Sequence, residues 1–192
     1  MPINFDLEKL RKEHSCMNYF ETGLWDPRDP ISCKMALNSG FEKVFSIEIF
    51  EEWVELGNEL FSDEISKKRL TLILDDSVHM NKYIKNEAFA NKTIFFLDAH
   101  INNYTLNNMK RCPLFDELEA IKMIDRKDNI ILIDDVRVLV ETHPWGEDSY
   151  GDINFFEMIK EKILEINPNY KFSRLNGIIE DDVLLAYIDN KG

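Results

Sequence analysis

The chain is short of residues that break or staple structure. Its 192 residues include only 7 glycines, 6 prolines and 3 cysteines. With so little glycine and proline there is no linker-like or low-complexity stretch, and no internal repeat is visible. Cys16, Cys33 and Cys112 are odd in number and widely spaced. They make no Cys-x-x-Cys pair and no zinc spacing, so they read as reduced thiols of an intracellular protein. Apolar runs are short. None approaches the roughly 20 residues of a membrane span, and the polar opening through His14 lacks a signal-peptide core. Cations are scarce too: 23 Lys and Arg stand against 36 Asp and Glu, a formal charge of −13. Such a surface repels phosphate backbones and anionic lipid heads, which disfavours nucleic-acid and membrane partners. The composition reads as that of a soluble cytoplasmic protein.

What the chain does have is core-forming material. Hydrophobic residues make up 44% and aromatics 11%, enough to exclude wholesale disorder. The length suits one domain over 1–192, with a leader helix over 1–17 and a core over 18–188. Short β-rich runs predict strands at 18–22, 43–48, 70–74, 93–98 and 130–134. Between them the periodicity predicts helices at 50–61, 76–89, 114–123 and 154–166; in the first of these Trp53, Leu56 and Leu60 recur at helical spacing. The runs at 93–97 and 130–133 are apolar nearly throughout, which suits strands buried on both faces. Strand and helix in alternation mean a parallel α/β sheet with right-handed crossovers. The rhythm breaks at the end. Segments 170–175 and 183–188, joined through a turn at Asn176-Gly177, leave no room for a helix and predict an antiparallel edge hairpin. Segments 101–112 and 141–152 read as loops.

Ligands of open α/β sheets bind beyond the carboxyl ends of the strands. Here every predicted parallel strand ends in acidic or polar residues: Glu21-Thr22-Gly23, Glu48, Asp75-Asp76-Ser77, Asp98-Ala99-His100 and Asp134-Asp135. One such acid often just caps the next helix, the reading favoured for Asp76 and Asp116. Five in succession on one rim repel one another unless a cation neutralises them. Glu48, closing the second strand, is placed to accept hydrogen bonds from ribose hydroxyls. Asp98, Asp134 and Asp135 end adjacent strands and would make a hard oxygen site suited to Mg²⁺ or a similar divalent ion. The alternative is an aspartate pair that only holds loops through backbone N–H groups.

Six segments in order carry a resemblance: Tyr19-Phe20-Glu21-Thr22-Gly23, the run Phe41 to Glu48, Leu72 to Ser77, Phe95 to His100, Cys112 to Leu118, and Ile131 to Arg137. Over nearly the whole chain they make it similar to class I S-adenosylmethionine-dependent methyltransferases. The likeness is to small Mg²⁺-dependent O-methyltransferases of the sugar type and to methyltransferase-like proteins of bacteria and large viruses. It implies a Rossmann-like seven-stranded sheet, mostly parallel, with the C-terminal pair antiparallel at the edge. It further implies S-adenosylmethionine as cofactor, with Glu21, Thr22 and Gly23 beside its methionine part. Glu48 would hold its ribose, and Asp76 and Ser77 would flank its adenine. Asp98, Asp134 and Asp135 would be metal ligands, and Asp98 would also line the cofactor site.

One position departs from the family pattern. Gly23 is followed by Leu24-Trp25-Asp26-Pro27-Arg28-Asp29-Pro30, with no glycine until Gly40. Proline lacks an N–H and has a fixed φ, so this loop cannot copy the family's wrap around the cofactor. Either the loop takes another path, with Trp25 and Arg28 as substitute contacts, or cofactor binding is weakened or lost.

Methyl transfer to a hydroxyl needs alignment and a more nucleophilic oxygen, which a divalent metal supplies. His100 is placed to take the proton, or else merely packs under the loop that follows. Arg137, Trp145 and Tyr150 are expected at the acceptor, the two aromatics either stacking on a ring or anchoring their loop. Three readings follow: a metal-assisted O-methyltransferase for a small hydroxylated molecule, such as a sugar or nucleotide sugar; a non-catalytic binding or scaffold module on the same fold; and, last, a metal-dependent hydrolase, which leaves Glu48 unexplained. A homodimer would complete an otherwise open pocket.

Overall fold

The strands are β1 (Asn18–Thr22), β2 (Lys43–Glu48), β3 (Leu70–Leu74), β4 (Thr93–Leu97), β5 (Ile130–Ile133), β6 (Lys171–Leu175) and β7 (Val183–Tyr187). In the computed structural model, which describes residues 3–29, 31–85, 87–100, 112–139 and 154–189, they form a seven-stranded sheet in the order β3-β2-β1-β4-β5-β7-β6. Strands β1 to β5 pair in parallel, and β7 runs antiparallel to both β5 and β6. The predicted terminal pair therefore exists, but with an inversion: β7 is inside the sheet and β6 is the edge. All seven predicted strands form, within a residue at their ends.

Burial explains the arrangement. Every residue of β1, β4 and β5 is buried, as their apolar runs require of strands covered on both faces. The edge strand β3 mixes buried and exposed positions, and β6 has only exposed and half-buried ones. One face packs under α5 (Leu114–Lys122) and α7 (Phe155–Ile166), with Leu118, Ile121, Ile159 and Ile163 over Phe20 and Phe95. The rings of Phe20, Phe45, Phe89 and Phe95 meet there at centroid separations of 5.0–6.2 Å. The other face packs under α1 (Leu7–Glu13) and α2 (Ser32–Asn38), with Leu7, Leu10, Cys33 and Ala36 near Tyr19, Phe41 and Phe96. Cys16, Cys33 and Cys112 are buried and none forms a disulfide. Among the described residues, no helix is long and apolar enough to cross a membrane.

Three expectations need correction. Segment 76–89 is two 3₁₀ turns, Ser77–Lys82 and Glu87–Ala90, and no α-helix. The Asp75 carboxylate gathers His79, Lys82 and Tyr83 at 2.6–3.1 Å. Residues four apart thus converge on one acid, a spacing that imitates helical periodicity. Next, α3 (Glu51–Leu60) exists, but it buries Val54 and Gly57, while Leu60 is exposed and Trp53 and Leu56 are half-buried. Gly57 lies on that face: a Cβ there would lie 2.7 Å from Leu72 Cδ1, so a larger residue would have to push the Leu72 side chain aside. Finally, α2 was not anticipated. It follows the proline-bearing loop, and Ile31 at its N-cap makes no side-chain cap bond. Two short helices, α4 (Ser62–Ser66) and α6 (Val136–Leu139), complete the described elements.

Candidate active site

The carboxyl ends of β1 to β5 share one rim, and the strand order reverses between β1 and β4, the place where such sheets bind ligands. The first turn is unusually close to the sheet. Gly23 has φ +87°, and a Cβ on it would lie 2.7 Å from the Asp98 carbonyl oxygen. Its N–H donates to the Ile47 carbonyl at 2.9 Å. The loop then takes a path without the second glycine. Trp25, itself at φ +64°, donates its N–H to Glu48 Oε2 at 3.0 Å. Glu48 Oε1 accepts from the N–H groups of Ile49 and Phe50, at 2.8 and 3.0 Å. A carboxylate has about four lone-pair sites. Three are taken, so Glu48 has room on Oε2 for one incoming hydroxyl rather than two. Trp25 stands 56% exposed beside it. Arg28 is turned onto Asp26, with its guanidinium 6.0 Å from the Trp53 ring.

Glu21 and Thr22 do not form the turn; they end β1. Glu21 is fully buried and its carboxylate accepts from Ser32 Oγ at 2.5 Å, Ser46 Oγ at 2.7 Å and Tyr19 Oη at 3.2 Å. Burial pushes its pKa up to about 7 against those hydroxyls. It is an internal knot that ties α2 and β2 to β1. Thr22 braces the rim from the other side, taking the Asp98 N–H on its carbonyl and its hydroxyl, both at 3.2 Å. Asp76 Oδ1 caps the following turn through the Val78 N–H at 3.0 Å. Asp75 is held below the usual carboxylate range: burial alone would raise it, but Tyr83, His79 and Lys82 outweigh that.

The second half of the rim is a crowd of acids. A carboxylate oxygen of Asp98, one of Asp135 and a ring nitrogen of His100 lie within 4.8 Å of one another, and so do oxygens of Asp134, Asp135 and Asp182. Asp135 belongs to both groups, at φ +61°. Burial and the charge of Asp134 drive Asp98 well above its ordinary pKa. Burial also lifts Asp134 to about 6 and raises Asp135, and it lowers His100 to about 4. Among the described residues, Arg137 is a near counter-charge. Its Nη2 is 2.8 Å from Asp135 Oδ1, Nη1 pairs with Asp182 Oδ2, and its backbone N–H donates to Asp182 Oδ1 at 3.0 Å. The β6–β7 loop is pressed against this cluster: a Cβ on Gly177 would lie 3.1 Å from Asp134 Oδ1. Oxygen donors with one imidazole suit Mg²⁺ or Mn²⁺. The donors therefore fit a divalent ion in either group, at Asp98, Asp135 and His100 or at Asp134, Asp135 and Asp182.

The structure thus gathers Thr22, Gly23, Glu48 and Asp98 on one rim with Asp134, Asp135, His100 and Arg137, places Asp76 and Ser77 at the β3 end, and withdraws Glu21 into the interior. Trp145 and Tyr150, and the loops 101–111 and 140–153, lie outside the described residues. Two residues escaped the sequence reading. Asp182 reaches the rim because β7 begins there, and only the run Glu180-Asp181-Asp182 hinted at it. Glu117 on α5 is fully buried, and neither carboxylate oxygen makes a hydrogen bond. Its side chain faces the Ser77 and Thr22 hydroxyls, and burial pushes it up to about 7 against them.

No family model matches the chain, and no curated protein matches it by sequence. Solved structures do match. An O-methyltransferase of Bacillus cereus in complex with SAH superposes at TM-score 0.63 and 16% identity, over 95% of this chain and 79% of that one. A SAH-bound methyltransferase of Podospora anserina gives TM-score 0.61 at 14% identity, over 95% and 76%. TomG, an O-methyltransferase of Streptomyces achromogenes involved in tomaymycin synthesis, in complex with SAM, gives 0.59 at 13%, over 96% and 78%. Identities so low speak for architecture alone, and on that the strand order and the neighbours agree: the chain has the Rossmann-like fold of the class I methyltransferases.

Proposed function

We propose that the protein is an S-adenosylmethionine-dependent O-methyltransferase that acts, with a divalent cation, on a hydroxyl of a small molecule such as a sugar or nucleotide sugar. The observation that carries this reading is the division of one rim into two halves. An acid set to take a ribose hydroxyl, Glu48, closes β2, and a crowded carboxylate cluster closes β4 and β5. Gly23 lets the first turn lie against the end of β4, so cofactor and acceptor would meet over Asp98. Asp76 and Ser77 would border the adenine.

A bound divalent ion supplies Lewis acidity, lowering the pKa of a hydroxyl and fixing its orientation. Asp98, Asp134 and Asp135 would hold it. His100, with its pKa lowered by burial, is neutral at pH 7 and so in the form that accepts a proton. Arg137, on the acceptor side of the cluster, would meet the substrate together with Trp145 and Tyr150. The competing reading is a binding module without catalysis. It draws support from the three backbone N–H groups already seated on Glu48.

Calorimetric titration of S-adenosylhomocysteine, with Mg²⁺ and then with EDTA, separates the two readings. Micromolar binding, altered by Mg²⁺, is expected. No binding under either condition would make the binding-module reading the better one.

A further inference from the structure

Asp135 is claimed twice. It belongs to both carboxylate groups able to hold a cation, and its Oδ1 also pairs with Arg137 Nη2 at 2.8 Å. A guanidinium and a divalent ion that share one carboxylate repel each other at such separations, so each weakens the other's hold on Asp135. The two anchors of Arg137 differ in kind. Asp182 receives both Nη1 and the backbone N–H of Arg137, and its side chain is fully buried. Asp135 takes only Nη2, from a side chain still 11% exposed at the rim. A metal arriving from the Asp98 and His100 side therefore competes for the weaker anchor and leaves the stronger one in place. The Arg137 side chain is itself 32% exposed, so an edge released from Asp135 is open to an incoming group.

We propose that Arg137 is an exchangeable cation of this site: it neutralises Asp135 until a divalent ion takes that carboxylate, and its freed Nη2 edge then receives an anionic group of the acceptor, while Asp182 keeps the guanidinium in place. This rests on the metal-assisted reading above and adds to it an order of binding, metal before acceptor, and a substrate class, a hydroxyl compound with a phosphate or carboxylate. Guanidinium suits both anions through paired N–H donors. In a chain of charge −13, such an anion needs a dedicated positive group.

The test uses the full chain. Mn²⁺ binding is measured by the electron paramagnetic resonance of the free ion for wild type, Arg137→Gln and Arg137→Lys. Arginine modification by phenylglyoxal is mapped by mass spectrometry with and without Mg²⁺. Removal of the competing charge in Arg137→Gln should tighten Mn²⁺ binding about tenfold, while Arg137→Lys stays near wild type. Mg²⁺ should speed modification of Arg137 several-fold and leave Arg28 unchanged. Equal Mn²⁺ affinity in wild type and Arg137→Gln, or Mg²⁺-independent labelling of Arg137 in protein that binds Mn²⁺, overturns the exchange and spares the metal reading. Absence of Mn²⁺ binding in wild type and both variants overturns both. If Arg137→Gln fails to fold, the labelling of wild type decides.

Discussion

Glu117→Gln should stabilise the protein at alkaline pH and have much less effect at acid pH. Glu117 is fully buried, and neither carboxylate oxygen makes a hydrogen bond. Its pKa rises from 4.5 to about 7, with burial the largest cause. In the unfolded chain the group ionises near 4.5; in the folded chain it holds its proton to about 7. Between those values the native state binds more protons, so stability falls as pH rises, and the full cost is reached above pH 7. By the linkage relation that cost is about 3 kcal/mol at pH 8 and about 1 kcal/mol at pH 5.5. Glutamine keeps the shape and cannot ionise. Its advantage over wild type should therefore grow by about 2 kcal/mol between pH 5.5 and 8. Urea unfolding of both proteins at the two pH values, monitored by circular dichroism, measures this directly. A pH-independent difference, or a glutamine variant less stable than wild type at pH 8, would refute the reasoning. It would mean that the carboxylate is ionised in the fold and held by a partner.

Gly23→Ala should cost roughly 1–3 kcal/mol from backbone conformation alone, and more from the contact with the Asp98 carbonyl; thermal melting and S-adenosylhomocysteine titration should both show the loss. Glu48→Gln turns an amide nitrogen toward backbone N–H groups that now donate to a carboxylate. Calorimetry should show cofactor affinity down about tenfold with the circular dichroism spectrum unchanged. Asp134→Ala should abolish methyl transfer and leave S-adenosylhomocysteine binding intact; normal turnover in a radiolabelled methyl assay would remove the metal role.

The sheet was largely legible because its strands are apolar on both faces, as in 93–97 and 130–133, and because each ends in a polar residue. What escaped depends on direction and distance. The position of β7 inside the sheet follows from its pairing with β5, some fifty residues away in sequence, and Asp182 reaches the site only through that pairing. Glu117 sits in a run, Asp116-Glu117-Leu118-Glu119, where one buried acid looks like its solvated neighbours. Glu21 belongs to the motif by spelling, yet Ser32, Ser46 and Tyr19 hold it inside, since alternation along β1 places residues 19 and 21 on the same face. The helix expected at 76–89 gave way to an acid that gathers three neighbours, an arrangement that periodicity cannot distinguish from a helical turn.

The interior place of β7 has a kinetic side. Of the seven strands it is synthesised last, yet it fills the gap between β5 and β6. Until it docks, both neighbours present unpaired edges, which are sites of misassociation during folding. Asp182 docks with it, and with Asp182 comes the acceptor for the Arg137 N–H. A chain with β7 undocked keeps the rim of β1 to β4 and lacks Asp182 beside Asp134 and Asp135. Where β7 docks after the rate-limiting step, a divalent ion that recognises the finished cluster slows unfolding without hastening refolding.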